Sequence, residues 1–197
     1  MREEGKDIFI LGGPNGAGKT TAARILLPDF LRQHEFLNAD EIARTISREN
    51  PETVAMSAGR QFLERMRQLI ENGSSFALET TCAGKSYLNL FERCKKDGWR
   101  IALIYFWLPS SELAVQRVAR RVAEGGHGIP PDVIRRRYLA GVWNMRNLYL
   151  PLADEAEIYD NSLNPRILIA QKRRGQSLQV SDPARWQSIE EVTRWKD

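Results

Sequence analysis

The stretch Gly13-Pro14-Asn15-Gly16-Ala17-Gly18-Lys19-Thr20 decides the fold of this 197-residue chain, because it matches the pattern G-x-x-x-x-G-K-[ST] at every fixed position. The apolar run before it, residues 7–11, predicts a buried strand. A helix is predicted to follow over residues 19–27 and to end before Pro28. A strand, a glycine-rich turn and a helix in this order indicate a phosphate-binding loop (P-loop). The chain has no G-x-G-x-x-G pattern, which excludes the Rossmann type of dinucleotide site.

The fixed positions of this loop each have a physical role. Glycines let backbone N–H groups approach phosphate oxygens without a clashing Cβ, and the N-terminal end of the following helix attracts the same phosphates. Lys19 is expected to reach the β- and γ-phosphates, and the Thr20 hydroxyl is the expected Mg²⁺ ligand. The predicted cofactors are therefore ATP and Mg²⁺. The loop residues predicted to bind the nucleotide are Gly13, Asn15, Gly16, Ala17, Gly18, Lys19, Thr20 and Thr21.

Strands and helices alternate along the rest of the chain, which predicts an α/β fold of the P-loop NTPase class. The expected architecture is a five-stranded, mainly parallel sheet with helices on both faces and an arginine-rich lid. Strands are predicted at residues 7–11, 34–38, 76–78, 100–108 and 157–159, with an edge strand at 166–171. A helical tail is expected over about 182–197. At this length, residues 1–197 are expected to form a single domain.

Composition narrows the classes of protein to which the chain can belong. A hydrophobic fraction of 42% and a charged fraction of 27% are ordinary for globular proteins and argue against disorder of the whole chain. Cys82 and Cys94 match neither a metal site nor a redox motif. The longest apolar run, residues 101–108, is too short to span a membrane, and the charged N-terminus lacks a signal-peptide pattern. The expected location is cytoplasmic, without a membrane partner.

Residues 117–137 form a basic stripe that holds six arginines against Glu124 and Asp132. Such a stripe suits anionic ligands, and a solvated helix face is the alternative. Nucleic acid is not expected as a partner, because no aromatic-interleaved binding motif accompanies the arginines. Glycines at positions 125, 126 and 128 surround His127 and permit hinge motion. We therefore interpret residues 117–137 as a lid that closes arginines over a triphosphate and excludes water.

Two carboxylates follow predicted strands at the edge where open α/β sheets bind ligands. Asp40 lies just after the second strand, and Glu79 ends the third. A kinase needs a carboxylate that accepts the proton of the acceptor hydroxyl or orients that hydroxyl, so both are candidates for this role. The alternative for Asp40 is a helix N-cap, and the alternative for Glu79 is a structural carboxylate that is paired inside the fold.

Together these patterns resemble the zeta toxin family of P-loop kinases. The resemblance rests on the P-loop, Asn38-x-Asp40, Glu79-Thr80-Thr81, the Gly-Gly-His-Gly-Ile-Pro segment, and Tyr159-Asp160-Asn161-Ser162, and it extends over about residues 7–162. It implies a nucleotide-kinase-like fold and ATP-dependent phosphorylation of UDP-N-acetylglucosamine on a sugar hydroxyl. A protein antitoxin is a partner that the resemblance also suggests.

The resemblance further implies roles for individual residues. Asp40 is the expected catalytic base, and Arg44, Glu79 and Thr81 are the other residues expected to bind the acceptor. Arginines of the lid would neutralise the transferring phosphoryl group, and Arg120 is preferred for this catalytic role over its neighbour Arg121. The remaining assignments are Arg117, Arg121 and His127 to the lid, and Asn161 to the adenine site, where a plain turn is the alternative.

The function expected from the sequence is an ATP-dependent kinase that phosphorylates a hydroxyl of a small anionic acceptor, most simply a UDP-N-acetyl sugar. One alternative is a kinase of a nucleoside, a nucleotide or another small metabolite, because acceptor pockets vary widely on one fold. The other alternative is a nucleotide-binding regulatory protein without transfer activity. Asp40 separates these classes, since a protein that only binds nucleotide has no use for a base on the acceptor side.

Overall fold

A computed structural model describes residues 5–47 and 51–194 of the chain, so residues 195–197 of the expected helical tail lie outside the described residues. The strands are β1 Asp7–Gly12, β2 Glu35–Leu37, β3 Phe76–Thr80, β4 Arg100–Trp107, β5 Glu155–Asp160, β6 Ile167–Lys172 and β7 Gln179–Val180. The α-helices are α1 Lys19–Leu26, α2 Pro28–Gln33, α3 Ala39–Ile46, α4 Ala55–Glu71, α5 Leu88–Lys96, α6 Ser111–Ala123, α7 Pro131–Asn144, α8 Leu150–Leu152 and α9 Pro183–Thr193. A 3₁₀ turn over Pro51–Val54 precedes α4, and a π-helical turn over Met145–Tyr149 joins α7 to α8.

All seven strands form one sheet in the order β2-β3-β1-β4-β5-β6-β7. The five strands from β2 to β5 are parallel, which confirms the predicted α/β fold with a mainly parallel sheet. β6 pairs antiparallel with β5, and β7 pairs antiparallel with β6. The sheet therefore has seven strands and not the expected five. β6 is the expected strand at 166–171, but β7 covers its free edge. Two exposed residues, Gln179 and Val180, give β7 too little apolar pattern to be seen in the sequence.

Uninterrupted apolar runs in the central strands are buried from both sides, as the sequence predicts for parallel strands. Ile8, Ile10 and Leu11 of β1 are at most 1% exposed, and seven of the eight residues of β4 are buried. β1 pairs with β3 on one side and β4 on the other, while β2 lies beyond β3. The connections therefore run in opposite directions on the two sides of β1, and ligands of open α/β sheets bind at the carboxyl ends of strands at such a point.

Helix α9 is hydrogen-bonded to the carboxyl end of strand β5. Asp182 caps α9 by accepting a hydrogen bond from the Arg185 backbone N–H at 3.0 Å. The Arg185 Nε donates to Oδ2 of the buried Asp160, the last residue of β5, at 2.8 Å. Ile189 of α9 is fully buried in the core. Within the region of the expected tail, α9 is helical over Pro183–Thr193 and packs against the sheet. Across the described residues, no helix has both the length and the apolar character needed to cross a membrane.

Candidate active site

The P-loop takes a conformation that three of its glycines make accessible. Gly13, Gly16 and Gly18 have φ values of 144°, 75° and 78°, in the region that side-chain-bearing residues rarely adopt. A Cβ on Gly13 would collide with the backbone carbonyl oxygen of Phe106 in β4. A Cβ on Gly16 would lie 3.0 Å from the Cβ of Arg117 in α6. The loop is therefore held tightly between the end of β4 and α6.

Lys19 lies inside this loop with its charge almost entirely removed from water. The residue is 6% exposed, and its Nζ donates hydrogen bonds of 2.9 Å to the carbonyl oxygens of Gly13 and Pro14. The same Nζ lies 3.6 Å from the Glu79 Oε1. The carbonyls are neutral acceptors, which a phosphate oxygen can replace with a stronger charge-assisted hydrogen bond. Gly18 at the start of α1 provides no side-chain cap, so the N-terminal N–H groups of α1 also face the loop.

Glu79 joins the P-loop to the neighbouring strand ends. The Thr20 hydroxyl donates to Glu79 Oε2 at 2.5 Å, and the Asn38 Nδ2 donates to the same oxygen at 3.1 Å. Leu37 pairs with Leu78 in the sheet register, which places Asn38 beside Glu79 at the carboxyl edge. Glu79 is 14% exposed and is paired by both of these groups and by Lys19. The sequence pattern identified Glu79 but gave no sign that Asn38 would share its carboxylate.

The Thr20 hydroxyl and the Glu79 carboxylate are hard oxygen donors of the kind that Mg²⁺ prefers. The described residues contain no group of three or more His, Cys, Asp or Glu side chains that could hold a metal ion by themselves. This donor set fits Mg²⁺ that takes most of its ligands from phosphate oxygens and water, which is how kinases usually hold it.

Asp40 is not the N-cap of α3, so the capping interpretation is wrong. Asn38 is the cap, and its Oδ1 accepts from the backbone N–H groups of Asp40 at 2.9 Å and Glu41 at 3.3 Å. Because Asn is a strong N-cap residue and comes first at the strand end, Asp40 falls in the first helical turn. The Asp40 side chain is exposed next to the carboxyl ends of β2 and β3. Arg44, one turn later on α3, is exposed as well.

The loop after β3 carries Thr81, and hydrogen bonds of the preceding residue, Thr80, hold this loop in place. Thr80 is buried, and its Oγ1 accepts from the Cys82 N–H at 3.0 Å and shares a 2.8 Å hydrogen bond with the Tyr87 hydroxyl. Thr81 is half-buried, and its Oγ1 accepts from the Ala83 N–H at 3.4 Å. Cys82 has a φ of 58° and is fully buried, and this burial raises the pKa of its thiol to about 12. Cys82 is therefore a packing residue rather than a nucleophile.

Helix α7 and the π-helical turn after it fix the same loop. Gly141 lies so close to the Thr81 carbonyl oxygen that a Cβ there would collide with it. The buried Asn144 donates from Nδ2 to the carbonyl oxygens of Cys82 at 2.8 Å and Ala83 at 3.0 Å. The Tyr149 hydroxyl donates to the Gly84 carbonyl oxygen at 2.9 Å. The sequence analysis missed this support, and the signal that could have found it is a glycine and an asparagine, Gly141 and Asn144, within one helical segment.

Arg117 and Asn161 link α6, the end of β5 and the P-loop. The two terminal nitrogens of Arg117 donate to the carbonyl oxygens of Asn161 at 2.8 Å and Ser162 at 2.9 Å. The Asn161 Nδ2 donates to the Ala17 carbonyl oxygen at 2.6 Å. Asn161 thus binds the backbone of the P-loop directly, and Arg117 holds Asn161 in position.

The other lid residues differ in their surroundings. The Arg121 Nη2 donates to the His127 carbonyl oxygen at 2.9 Å, which closes the turn between α6 and α7. Gly126 is required there, because a Cβ would lie 2.7 Å from the Arg121 Cγ. Arg120, in contrast, is 82% exposed and pairs with Glu124 at 3.0 Å. In this arrangement Arg117 and Arg121 are engaged in the fold, and Arg120 is in contact with solvent.

Known proteins share sequence and fold with this chain. The model of the zeta toxin family matches residues 1–168, which include every site residue described above. A relative from Haemophilus influenzae (strain ATCC 51907 / DSM 11121 / KW20 / Rd), an uncharacterised protein, is 30% identical over 135 residues. That match covers 68% of this chain and 94% of the relative.

Solved structures share the fold at lower identity. AvrRxo1-ORF1 in its complex with AvrRxo1-ORF2, determined with ATP, gives a TM-score of 0.71 at 17% identity over 95% of this chain. The chain spans 63% of the length of that protein. A structure from the PezAT chromosomal toxin-antitoxin system of Streptococcus pneumoniae gives a TM-score of 0.62 at 15% identity, over 98% of this chain and 87% of that one. These likenesses establish the fold of a P-loop kinase.

Proposed function

This chain belongs to the zeta toxin family, and we propose that it is a kinase that transfers the γ-phosphoryl group of ATP to a hydroxyl of a UDP-N-acetyl sugar. Family and fold support a P-loop phosphotransferase, and the proposal adds the acceptor. The observation that carries it is the meeting of Lys19, Thr20 and Glu79 at the strand ends, with Asp40 exposed in the first turn of α3, which directly follows the neighbouring strand β2. A protein that only binds nucleotide would not need Asp40.

The P-loop would hold the triphosphate. Its backbone N–H groups and the start of α1 face the phosphate oxygens, and Lys19 would exchange its hydrogen bonds to the Gly13 and Pro14 carbonyls for bonds to the β- and γ-phosphates. Thr20 and Glu79 would hold Mg²⁺ on the phosphates. Bound Mg²⁺ supplies positive charge that offsets the negative charge developing on the phosphates. Asn161 would lie near the adenine ring of ATP.

Asp40 would accept the proton of the acceptor hydroxyl. It is exposed at the acceptor edge, and its backbone N–H is fixed by the Asn38 cap, so the position of its backbone is set by the start of α3. Glu79, Thr81 and Arg44 would bind the acceptor around this hydroxyl. A general base of this kind contributes roughly 10²–10⁴-fold to a rate.

The lid would supply positive charge to the phosphoryl group during transfer. Within the described part of the chain, Arg120 is held only by an exposed ion pair with Glu124, and such pairs contribute little free energy. Arg120 can therefore leave Glu124 when the lid closes, while Arg121 keeps the turn around His127 in shape. Closure would also exclude water, which protects ATP from hydrolysis.

The proposal is tested by incubating the purified protein with ATP, Mg²⁺ and a panel of sugars, sugar nucleotides, nucleosides and nucleotides. We expect a mass gain of one phosphoryl group on a UDP-N-acetyl sugar. A gain on another member of the panel would keep the kinase and replace its acceptor. No gain on any member, with ATP bound, would overturn the proposed activity and favour a regulatory nucleotide-binding protein.

An antitoxin is a further part of this proposal. It is supported by family membership and by the toxin-antitoxin system to which the PezAT structure belongs. Co-purification of a second protein that abolishes transfer by this chain would support it, and full activity of the chain in its native cell extract would argue against it.

A further inference from the structure

We propose that Arg137 of α7 binds an anionic group of the acceptor, and that the acceptor is therefore selected for its negative charge. This inference rests on the proposed kinase activity and names a specificity-determining residue for it. In the sugar nucleotide proposed above, the anionic group would be a phosphate. Arg137 is the last residue of the basic stripe 117–137, but neither it nor its neighbour Arg136 has been given an individual role above.

The direction of Arg137 follows from the contacts of its own helix. At about 100° per residue, Arg137, Gly141 and Asn144 lie within about 60° of one another around α7. Gly141 contacts the Thr81 carbonyl, and Asn144 donates to the carbonyls of Cys82 and Ala83. Arg137 therefore lies on the stripe that faces the loop after β3, one turn nearer the lid.

Helical side chains lean toward the N-terminus of their helix. The Arg137 side chain is thus directed toward the lid end of α7, on the side of the helix that faces the loop carrying Thr81. Glu79 and Thr81 line the carboxyl edge of the sheet, where the acceptor is proposed to bind. Because Asn144 and Tyr149 fix residues 82–84 against α7, the backbone of α7 at Arg137 and the loop that carries Thr81 have a defined relative position.

The surroundings of Arg137 differ from those of its neighbours. Arg135 makes hydrogen bonds of 2.6 and 3.0 Å to the two carboxylate oxygens of Glu112, and Arg136 is exposed to solvent. Arg137 is half-buried, and among the residues that the structure describes it has no carboxylate or other hydrogen-bond partner. The Arg137 guanidinium is not among the buried polar groups of the described residues that lack a partner, so it is accessible and free to bind a ligand. An anion on the ligand supplies the missing partner in the bidentate geometry that guanidinium favours.

The test compares Arg137→Gln with Arg136→Gln, which removes an exposed charge from the adjacent position. Binding of UDP-N-acetylglucosamine, N-acetylglucosamine 1-phosphate and neutral N-acetylglucosamine is titrated in the presence of Mg²⁺ and a non-hydrolysable ATP analogue. Transfer to each compound is measured separately.

We expect Arg137→Gln to weaken binding of the charged compounds, and to raise their KM, by roughly 10- to 100-fold, with affinity for the ATP analogue unchanged. Arg136→Gln should behave as the wild type. Arg137→Lys should recover part of the affinity, because it restores the charge without the bidentate geometry.

Each outcome decides between the two proposals. Loss of charged-ligand binding without any transfer by the wild type would support the role of Arg137 and overturn the kinase proposal. Equal binding by wild type and Arg137→Gln, or no binding of charged compounds by the wild type, would overturn the role of Arg137. Weaker binding of the ATP analogue itself by Arg137→Gln would assign the arginine to the nucleotide instead.

Discussion

The nucleotide side and the acceptor side of this site are built in different ways. The P-loop uses eight consecutive residues, and most of its contacts with ligand would come from backbone groups. The acceptor side is assembled from separate segments: Asn38 and Asp40 after β2, Glu79 and Thr81 around the end of β3, and Gly141 and Asn144 from α7. A local motif therefore reveals the first, whereas the second exists only after the sheet has formed. The comparison implies that changes in the P-loop act on phosphate chemistry and changes on the acceptor side act on substrate choice.

The largest effect is expected from Lys19→Ala. It removes the one cation that the P-loop itself contributes, so transfer should fall by about 10³-fold or more while the fold is retained. Phosphoryl transfer measured by mass, and circular dichroism as a check of folding, give the answer. Lys96→Ala, which removes an exposed lysine from α5, is the matched control. Undiminished transfer in folded Lys19→Ala protein would refute the assignment of the P-loop.

Asp40→Asn tests the acceptor side with nearly the same shape. The amide cannot accept the hydroxyl proton, so transfer should drop roughly 10²–10⁴-fold with ATP binding intact. The free energy of unfolding should fall by no more than about 1 kcal/mol, because the cap of α3 is Asn38 and Asp40 contributes only the attraction of its charge to the helix N-terminus. Glu41→Gln alters the next carboxylate of the same turn and should leave transfer close to wild type. If Asp40→Asn retains full activity, the base must be sought at Glu79.

Arg120→Ala tests whether the lid contributes to rate rather than to nucleotide binding. An arginine that meets the phosphoryl group only in the transition state affects kcat, so kcat should fall by about tenfold or more with little change in ATP affinity. Thermal stability should be unaffected, since the Glu124 pair is exposed. Should Arg121→Ala impair kcat while Arg120→Ala has no effect, the neighbouring arginine takes the role. If neither variant changes kcat, the basic stripe of residues 117–137 is a solvated helix face.

The smallest effect is expected from a pair of glycine substitutions that should differ in sign. Gly141→Ala forces a Cβ against the Thr81 carbonyl, so the free energy of unfolding should decrease by about 1–3 kcal/mol and the acceptor KM should rise. Gly59→Ala in α4 meets nothing within 4 Å and should increase the free energy of unfolding by about 0.5–1 kcal/mol. Urea denaturation measures both. Equal effects would show that α7 does not press on the acceptor loop.

The difference between the local P-loop motif and the assembled acceptor side explains which features could be predicted from the sequence. Buried parallel strands and the P-loop have local patterns, and their positions were predicted to within a few residues. Helix α2 and strand β7 were missed, because Pro28 was interpreted only as the end of a helix although it also begins α2, and because β7 has two exposed residues. The Asn38 cap was missed because Asp40 is an equally good cap residue, and only the end of β2 at Leu37 decides between them.

The acceptor side could be predicted only as a list of polar residues at strand ends. The contact of Gly141 with Thr81 joins residues 60 positions apart, and the π-helical turn that directs Tyr149 toward Gly84 has no simple sequence pattern. Such contacts depend on how α7 packs across the sheet. Physical proximity of this kind has to be measured on a folded chain.

The reactivity of the Cys82 thiol reports how tightly the P-loop packs against the end of β3. Its thiol is fully buried, and a Cβ on Gly12, directly before the P-loop glycine Gly13, would lie 2.8 Å from its sulfur. A thiol reagent can therefore react there only during openings that separate the P-loop from the end of β3. The labelling rate gives the free energy of that opening, and it should fall in proportion to the fraction of protein that the nucleotide leaves unoccupied. The chain thus carries its own reporter of nucleotide occupancy, one that needs no acceptor and no turnover.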